Sequence, residues 1–165
     1  MFSMKETEIR IKYQEYGSEA ELPPADRALL KRAHEAANRS YSPYSHFRVG
    51  AAVQLANGEV IEGSNQENGA YPSGTCAERV ALFYASSRYP GVAVRAIAIT
   101  ARSDHFEFDQ PVTPCGACRQ VMIETENRQQ EPIRVIMQGE AGKVFIIHTI
   151  TSLLPLQFDS GKLRK

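Results

Sequence analysis

Ile9, Ile11 and Tyr13 alternate with charged neighbours, the period-two signature of a half-exposed edge strand, which Leu22-Pro23-Pro24 brings to an end. Over residues 25–38 the period changes. Nearly every residue is a good helix former, Ala25, Leu29, Ala33 and Ala36 recur three or four apart, and Pro24 suits a first helical turn. Residues 47–56 and 59–65 read as strands flanking Asn57-Gly58, a hairpin signal in which both central residues are expected at positive φ. After a loop rich in Asn and Gly (66–74), residues 77–88 read as a helix stopped by Pro90-Gly91. Residues 92–100 are an unbroken apolar run, as in a strand covered on both faces. A polar loop, a helix over 118–128 and a hairpin-like pair, 133–138 and 143–148, come next. Thr151 and Ser152 are expected to cap a short last helix limited by Pro155. The order α-β-β-α-β-α-β-β predicts an α/β fold, a sheet with helices packed on its faces.

Composition narrows the function classes. The 165 residues, 42% hydrophobic and 23% charged, suit one ordinary domain. Nineteen basic against nineteen acidic residues leave zero formal charge, so the chain lacks the positive excess that drives binding to polynucleotides or anionic membranes. No apolar run approaches the roughly 18 residues that cross a bilayer. The opening Met1-Phe2-Ser3-Met4-Lys5-Glu6 lacks the apolar stretch of a signal peptide, and three cysteines make no disulfide framework, so a reducing, cytoplasmic setting is expected. The three thiols need another role.

All three lie in two segments, Thr75-Cys76-Ala77-Glu78-Arg79 and Pro114-Cys115-Gly116-Ala117-Cys118-Arg119-Gln120, each where a loop meets a predicted helix N-terminus. Unpaired N–H groups and the positive dipole end there favour thiolates. Cys115 and Cys118 are spaced to chelate one borderline metal, and Cys76 completes a three-ligand zinc site. A structural zinc site is closed by four protein ligands, whereas a catalytic one keeps its fourth position open, and no histidine among His34, His46, His105 and His148 adjoins the cysteine segments. Glu78, two residues after Cys76, sits where a proton shuttle for an activated water is needed; alone, it would read as a first-turn glutamate favoured by the dipole. Three thiolates weaken zinc as a Lewis acid. Arg79 is expected to hydrogen-bond a thiolate and withdraw charge, while Arg119 stays open between that role and a solvated helix position.

Cys76-Ala77-Glu78 followed by Pro114-Cys115-x-x-Cys118 resembles the zinc signature of the cytidine deaminase superfamily. The segments from Ser45 to Ala52, Asn65-Gln66-Glu67-Asn68, Tyr71-Pro72, Pro114 to Met122, and Leu153-Leu154-Pro155 with Phe158 are similar to the small, homotetrameric cytidine deaminases, over about residues 25–160. The resemblance implies a three-layer α-β-α fold around a mixed five-stranded sheet, with residues 1–22 as an N-terminal extension and 23–165 as the deaminase domain. It implies one Zn2+ per chain and hydrolytic deamination of cytidine and 2′-deoxycytidine, as in pyrimidine salvage, with a nucleoside as partner and neither nucleic acid nor membrane. It further implies that Asn65 and Glu67 bind the ribose hydroxyls, that Phe47 packs on the pyrimidine, that Ala77 contacts substrate, and that Tyr71 and Phe158 reach a neighbouring subunit's site. Gly69-Ala70 and Arg48 depart from residues usual in the family, and Phe83 and Tyr84 are expected in the core or a subunit interface. Two rival readings are a deaminase of another aminopyrimidine, such as blasticidin S, and a non-enzymatic zinc module.

Overall fold

The computed structural model describes residues 4–108, 110–158 and 160–163. Six strands form one sheet: β1 (Gln14–Tyr16), β2 (Phe47–Leu55), β3 (Val60–Ser64), β4 (Val94–Ser103), β5 (Arg134–Gln138) and β6 (Val144–Ile147). They lie in the order β1-β6-β5-β4-β2-β3, antiparallel throughout except for the parallel pair β4–β5. Helix α1 (Pro24–Ala37) covers one face, and α2 (Ala77–Arg88) and α3 (Gly116–Gln129) the other. The mixed α/β fold is therefore as expected, but the sheet has six strands rather than five. The extra one is an edge strand from the N-terminal segment, paired to β6 at Gln14–Tyr16, just past the alternating run that announced it.

Side-chain alternation divides the core into two layers. Ala51, Val53, Leu55, Ile97, Ile99, Val135 and Met137 face α2 and α3, where Ala81, Leu82, Met122 and Ile123 meet them. Ala52, Ala96, Ala98 and Ile136 face α1 and its Leu29, Leu30 and Ala33. The small residues toward α1 let the helix lie close. At Gly50 an added Cβ would stand 2.0 Å from the Ala33 carbonyl oxygen. At Gly63 it would stand 2.5 Å from that of Ala77, so α2 begins almost in contact with β3.

The β2–β3 hairpin closes differently from the expected two-residue turn. Only Gly58 has positive φ (+89°); the Gly58 N–H donates to the Leu55 carbonyl at 3.1 Å, so Ala56-Asn57 form the turn and Gly58 the bulge after it. Near the C-terminus the cap is Thr149, whose hydroxyl accepts from the Thr151 N–H over a single 3-10 turn (Ile150–Ser152), instead of Thr151 or Ser152. Phe83 and Tyr84 are exposed, which removes them from the core. Among the described residues no helix is long and apolar enough to cross a membrane.

Strand register gathers the chemistry. Phe47 opposite Ser103 and Gly50 opposite Ser64 put the start of β2 and the ends of β3 and β4 at one end of the sheet, where α2 also begins.

Candidate active site

Cys76 and Cys115 are the N-cap residues of α2 and α3, both extended (φ −70° and −66°), and neither spends its side chain on capping. Their sulfurs stay free to face each other at 3.8 Å. Cys118 follows in the first turn of α3, fully buried, and the three Sγ atoms lie within 4.8 Å of one another. Zinc–sulfur bonds of about 2.3 Å in tetrahedral arrangement put sulfurs about 3.8 Å apart, so the donor set fits zinc in both chemistry and spacing. Among the described residues no fourth acidic, histidine or cysteine ligand joins the group. His34 bonds Gln138 (2.9 Å) and Thr100 (3.3 Å) on the α1 face, and His46 and His105 pack edge to face.

Glu78 stands two residues into α2, 3% exposed, and its Oε2 has no hydrogen-bond partner. A buried carboxylate oxygen left unpaired is costly and points to a ligand atom that the protein does not supply. Burial, first, and then the Cys76 charge push the Glu78 carboxyl above its ordinary range. The thiols are also shifted. The hydrogen bond from Cys118 brings Cys76 down to about 5, against its partial burial, and the Arg79 guanidinium helps. Cys118, as donor to Cys76 and itself desolvated, is pushed up. Arg79 Nη2 approaches the Cys76 sulfur at 3.8 Å, the contact expected of it, and that bond holds its own proton more tightly.

Arg119 fits neither reading left open for it. Its guanidinium donates to the Pro114 carbonyl (2.8 Å), the Leu153 carbonyl (2.9 Å) and the Thr113 hydroxyl (3.1 Å), fastening the loop that presents Cys115 to the C-terminal segment. Behind it, the buried Glu126 carboxylate accepts from the Ile133 N–H (2.7 Å), the Ile150 N–H (2.9 Å) and the Thr149 hydroxyl (2.6 Å), tying α3 to the same segment.

Beside Cys76 opens a cavity of about 490 Å³ bordered by Tyr44, Asn65, Glu67, Tyr71 and Thr75. Gln66 fixes its wall. Its backbone exchanges both hydrogen bonds with Thr75 at 2.9 Å, while Tyr41 pairs with Asn65 and Glu67 on either side of it. Asn65 is buried, with Oδ1 accepting from the Val49 N–H (2.7 Å) and the Ser40 hydroxyl (2.5 Å) and Nδ2 donating to the Phe47 carbonyl (2.8 Å). One amide hydrogen remains. Glu67 accepts from the Ser45 hydroxyl and from the N–H groups of Tyr44 (2.9 Å) and Ser45 (3.2 Å). Partial burial alone would raise its pKa, but these donors hold it below the ordinary carboxylate value.

Phe47 packs with Phe108 (5.6 Å) and Phe106 (6.5 Å) of the segment after β4. The sequence signal for these two aromatics is their two-residue spacing in a loop that is otherwise polar. Ala77 is fully buried and presents no surface to the cavity. Tyr71 and Phe158 are largely exposed, and Tyr71 meets Tyr44 edge-on at 6.1 Å.

The sequence profile of the cytidine and deoxycytidylate deaminase zinc-binding region matches residues 23–130. A cytidine deaminase of Halalkalibacterium halodurans is 41% identical over 132 residues, covering 79% of this chain and 91% of the relative. One of Sporosarcina psychrophila is 37% identical over 136 residues, covering 82% and 92%. The crystal structure of cytidine deaminase from Burkholderia pseudomallei superposes with a TM-score of 0.70 at 40% identity, covering 79% of this chain and 97% of that one.

Proposed function

Because the chain belongs to the cytidine and deoxycytidylate deaminase zinc-binding family, we propose that it hydrolyses cytidine and 2′-deoxycytidine to uridine and 2′-deoxyuridine with release of ammonia. It is a zinc-dependent hydrolase, with Cys76, Cys115 and Cys118 as the metal ligands. The observation that carries the reading is the pairing of three sulfurs at zinc spacing with one buried carboxylate whose Oε2 has no hydrogen-bond partner. A fourth protein ligand would have spoken for a structural zinc module.

When bound, zinc supplies the Lewis acidity that makes water a nucleophile near neutral pH. Glu78 takes the proton of the attacking water and delivers it to the pyrimidine N3, which makes C4 electrophilic. Water oxygen adds to C4 as a hydroxyl, and Glu78 then carries that hydroxyl's proton to the amino group, so that the C4–N bond breaks, ammonia leaves and the C4 carbonyl forms. A carboxyl raised by burial suits both halves of that cycle, because it holds a proton more readily than an exposed carboxylate and can pass it on to a more basic nitrogen. Arg79 offsets the charge of the thiolate cluster through Cys76.

Asn65 and Glu67 hold the ribose hydroxyls, Asn65 with its free amide hydrogen and Glu67 by exchanging its Ser45 contact for a hydroxyl. Phe47 packs on the pyrimidine, supported by Phe106 and Phe108. Ala77, fully buried, offers the substrate no surface in this conformation. Tyr71 and Phe158 complete the site of a neighbouring copy in a homotetramer, which their exposure permits. Residues 23–165 are the deaminase domain and 1–22 its extension; three unpaired thiols fit a cytoplasmic enzyme.

The test is conversion of cytidine to uridine by purified protein, followed by ultraviolet absorbance, with zinc measured on the same sample. Turnover with about one zinc per chain is expected. Stoichiometric zinc without turnover of either nucleoside would refute the substrate and turn the search to other aminopyrimidines, while neither zinc nor turnover would refute the site.

A further inference from the structure

Among the described residues the sheet ends at β1, whose one strand partner is β6, and no strand pairs with its outer edge. The chain leading into it, residues 4–13, precedes the family match and pairs with no strand among the described residues. Yet it is built like one. Ile9, Ile11 and Tyr13 share one face and are about half exposed, and Tyr13 continues that face onto the sheet by packing on Phe145 at 4.8 Å. Glu6, Glu8, Arg10 and Lys12 share the opposite face, and the Arg10–Glu8 ion pair at 3.2 Å is the same-face contact that an extended chain gives residues two apart.

An open edge with an apolar stripe invites pairing with another chain, and natural proteins blunt it with charges that repel a second copy. The charges here do the reverse. If the segment lies antiparallel to itself about a two-fold axis at Ile9, Glu6 of one copy faces Lys12 of the other, Glu8 faces Arg10, and Ile9 faces Ile9. Every charged pair in that register is attractive. Shifting the axis by one residue to either side sets Glu8 against Glu8 or Arg10 against Arg10. Directly opposed like charges destabilise strand pairs and opposite ones stabilise them, so the pattern selects one register.

We propose that residues 5–13 form an intermolecular strand that pairs antiparallel with the same segment of a second copy of this chain, centred on Ile9, and joins two sheets edge to edge. The interface is isologous, each copy giving and receiving the same contacts. It does not rest on the deaminase reading and uses no residue of the candidate active site.

The experiment places a cysteine at the axis, Ile9→Cys, in the full-length zinc-loaded protein, and treats it with a short bis-maleimide. The unsubstituted chain, its three thiols held by zinc, gives the background. Ile9→Cys is expected to yield a covalent dimer. Adding Glu6→Lys and Glu8→Lys, which makes the charged face wholly positive, should lower the yield at least fivefold. Adding Arg10→Glu and Lys12→Glu as well, which restores a self-complementary pattern with its signs exchanged, should bring the yield back. Folding of each variant is checked by cytidine turnover or circular dichroism, and the recovery in the fully exchanged variant cannot arise from misfolding. No dimer above background, a yield indifferent to the positive face, or a loss that the full exchange leaves uncorrected would each overturn the proposal.

Discussion

Replacing Glu78 with glutamine keeps the shape and burial of the side chain while removing its capacity to carry a proton. The neighbourhood decides how much that costs. Glu78 is 3% exposed, its Oε2 is unpartnered, and among the described residues no histidine or second carboxylate joins the three-thiol group to take over the proton. Positioned acid–base groups contribute roughly 10²- to 10⁴-fold to rate, and the missing substitute places this one in the upper half. A fall of about 10³- to 10⁴-fold in kcat corresponds to about 4–5 kcal/mol of lost transition-state stabilisation. KM should change little, because Asn65, Glu67 and Phe47 are untouched, and zinc content should stay at about one per chain, because Glu78 is not among its ligands. Steady-state absorbance kinetics of the two proteins, with metal analysis of each preparation, make the comparison. A Glu78→Gln enzyme with full zinc and kcat within tenfold of the parent would refute the proton-carrier role.

Glu126→Ala leaves the buried N–H groups of Ile133 and Ile150 and the Thr149 hydroxyl without an acceptor; about 3–5 kcal/mol of stability is expected to go, a fall in Tm on the order of 10 °C, read by circular dichroism. Gly63→Ala sets a methyl 2.5 Å from the Ala77 carbonyl oxygen; it should cost about 1–3 kcal/mol and, by displacing the turn that carries Glu78, lower kcat too, so a lower Tm with unchanged kcat would show the helix start does not move. Zinc uptake at pH 7 should release fewer than three protons per metal, measured with a pH indicator, because Cys76, down at about 5, is already ionised while Cys118 still holds its proton. In the zinc-free protein the raised Glu78 pKa makes its contribution to stability full below its ordinary value near 4.5 and lost as pH rises through the folded-state value; the stability difference between parent and Glu78→Gln should therefore move against the parent across that window, and a pH-independent difference would contradict the shift.

What could be read from the residues alone was local. Cys76, Glu78, Cys115 and Cys118 declare themselves because a metal site built on two helix N-termini uses short spacings, and those survive in any tertiary setting. The helices and central strands were legible for the same reason, their periods being written in consecutive residues. Long-range partnerships were not. Arg119 looked like a candidate for a thiolate but spends its donors on Pro114, Thr113 and Leu153, the last 34 residues away. Glu126 reads as one more polar residue of the helix expected over 118–128, because the N–H groups it satisfies, of Ile133 and Ile150, lie just before β5 and just after β6. The sixth strand was half visible: alternation marked an edge strand near Ile9, but pairing begins at Gln14, where β6 supplies a partner. Asn57-Gly58 announced the hairpin, and the loop length, not the dipeptide, settled which turn it makes.

Cys76 and Cys115 lie 39 residues apart in sequence, with all of α2 and β4 between them. A metal that joins them is therefore a cross-link as well as a reagent. By the loop-closure relation used for disulfides, tying off a segment of that length withdraws about 4 kcal/mol of freedom from the unfolded chain. The segment so enclosed contains Glu78 and the strand at the centre of the sheet. Stripping zinc from this protein thus removes a fastener from the same stretch of chain in which it disables the chemistry, and resistance to heat and capacity for turnover should be lost together and regained together when the metal returns.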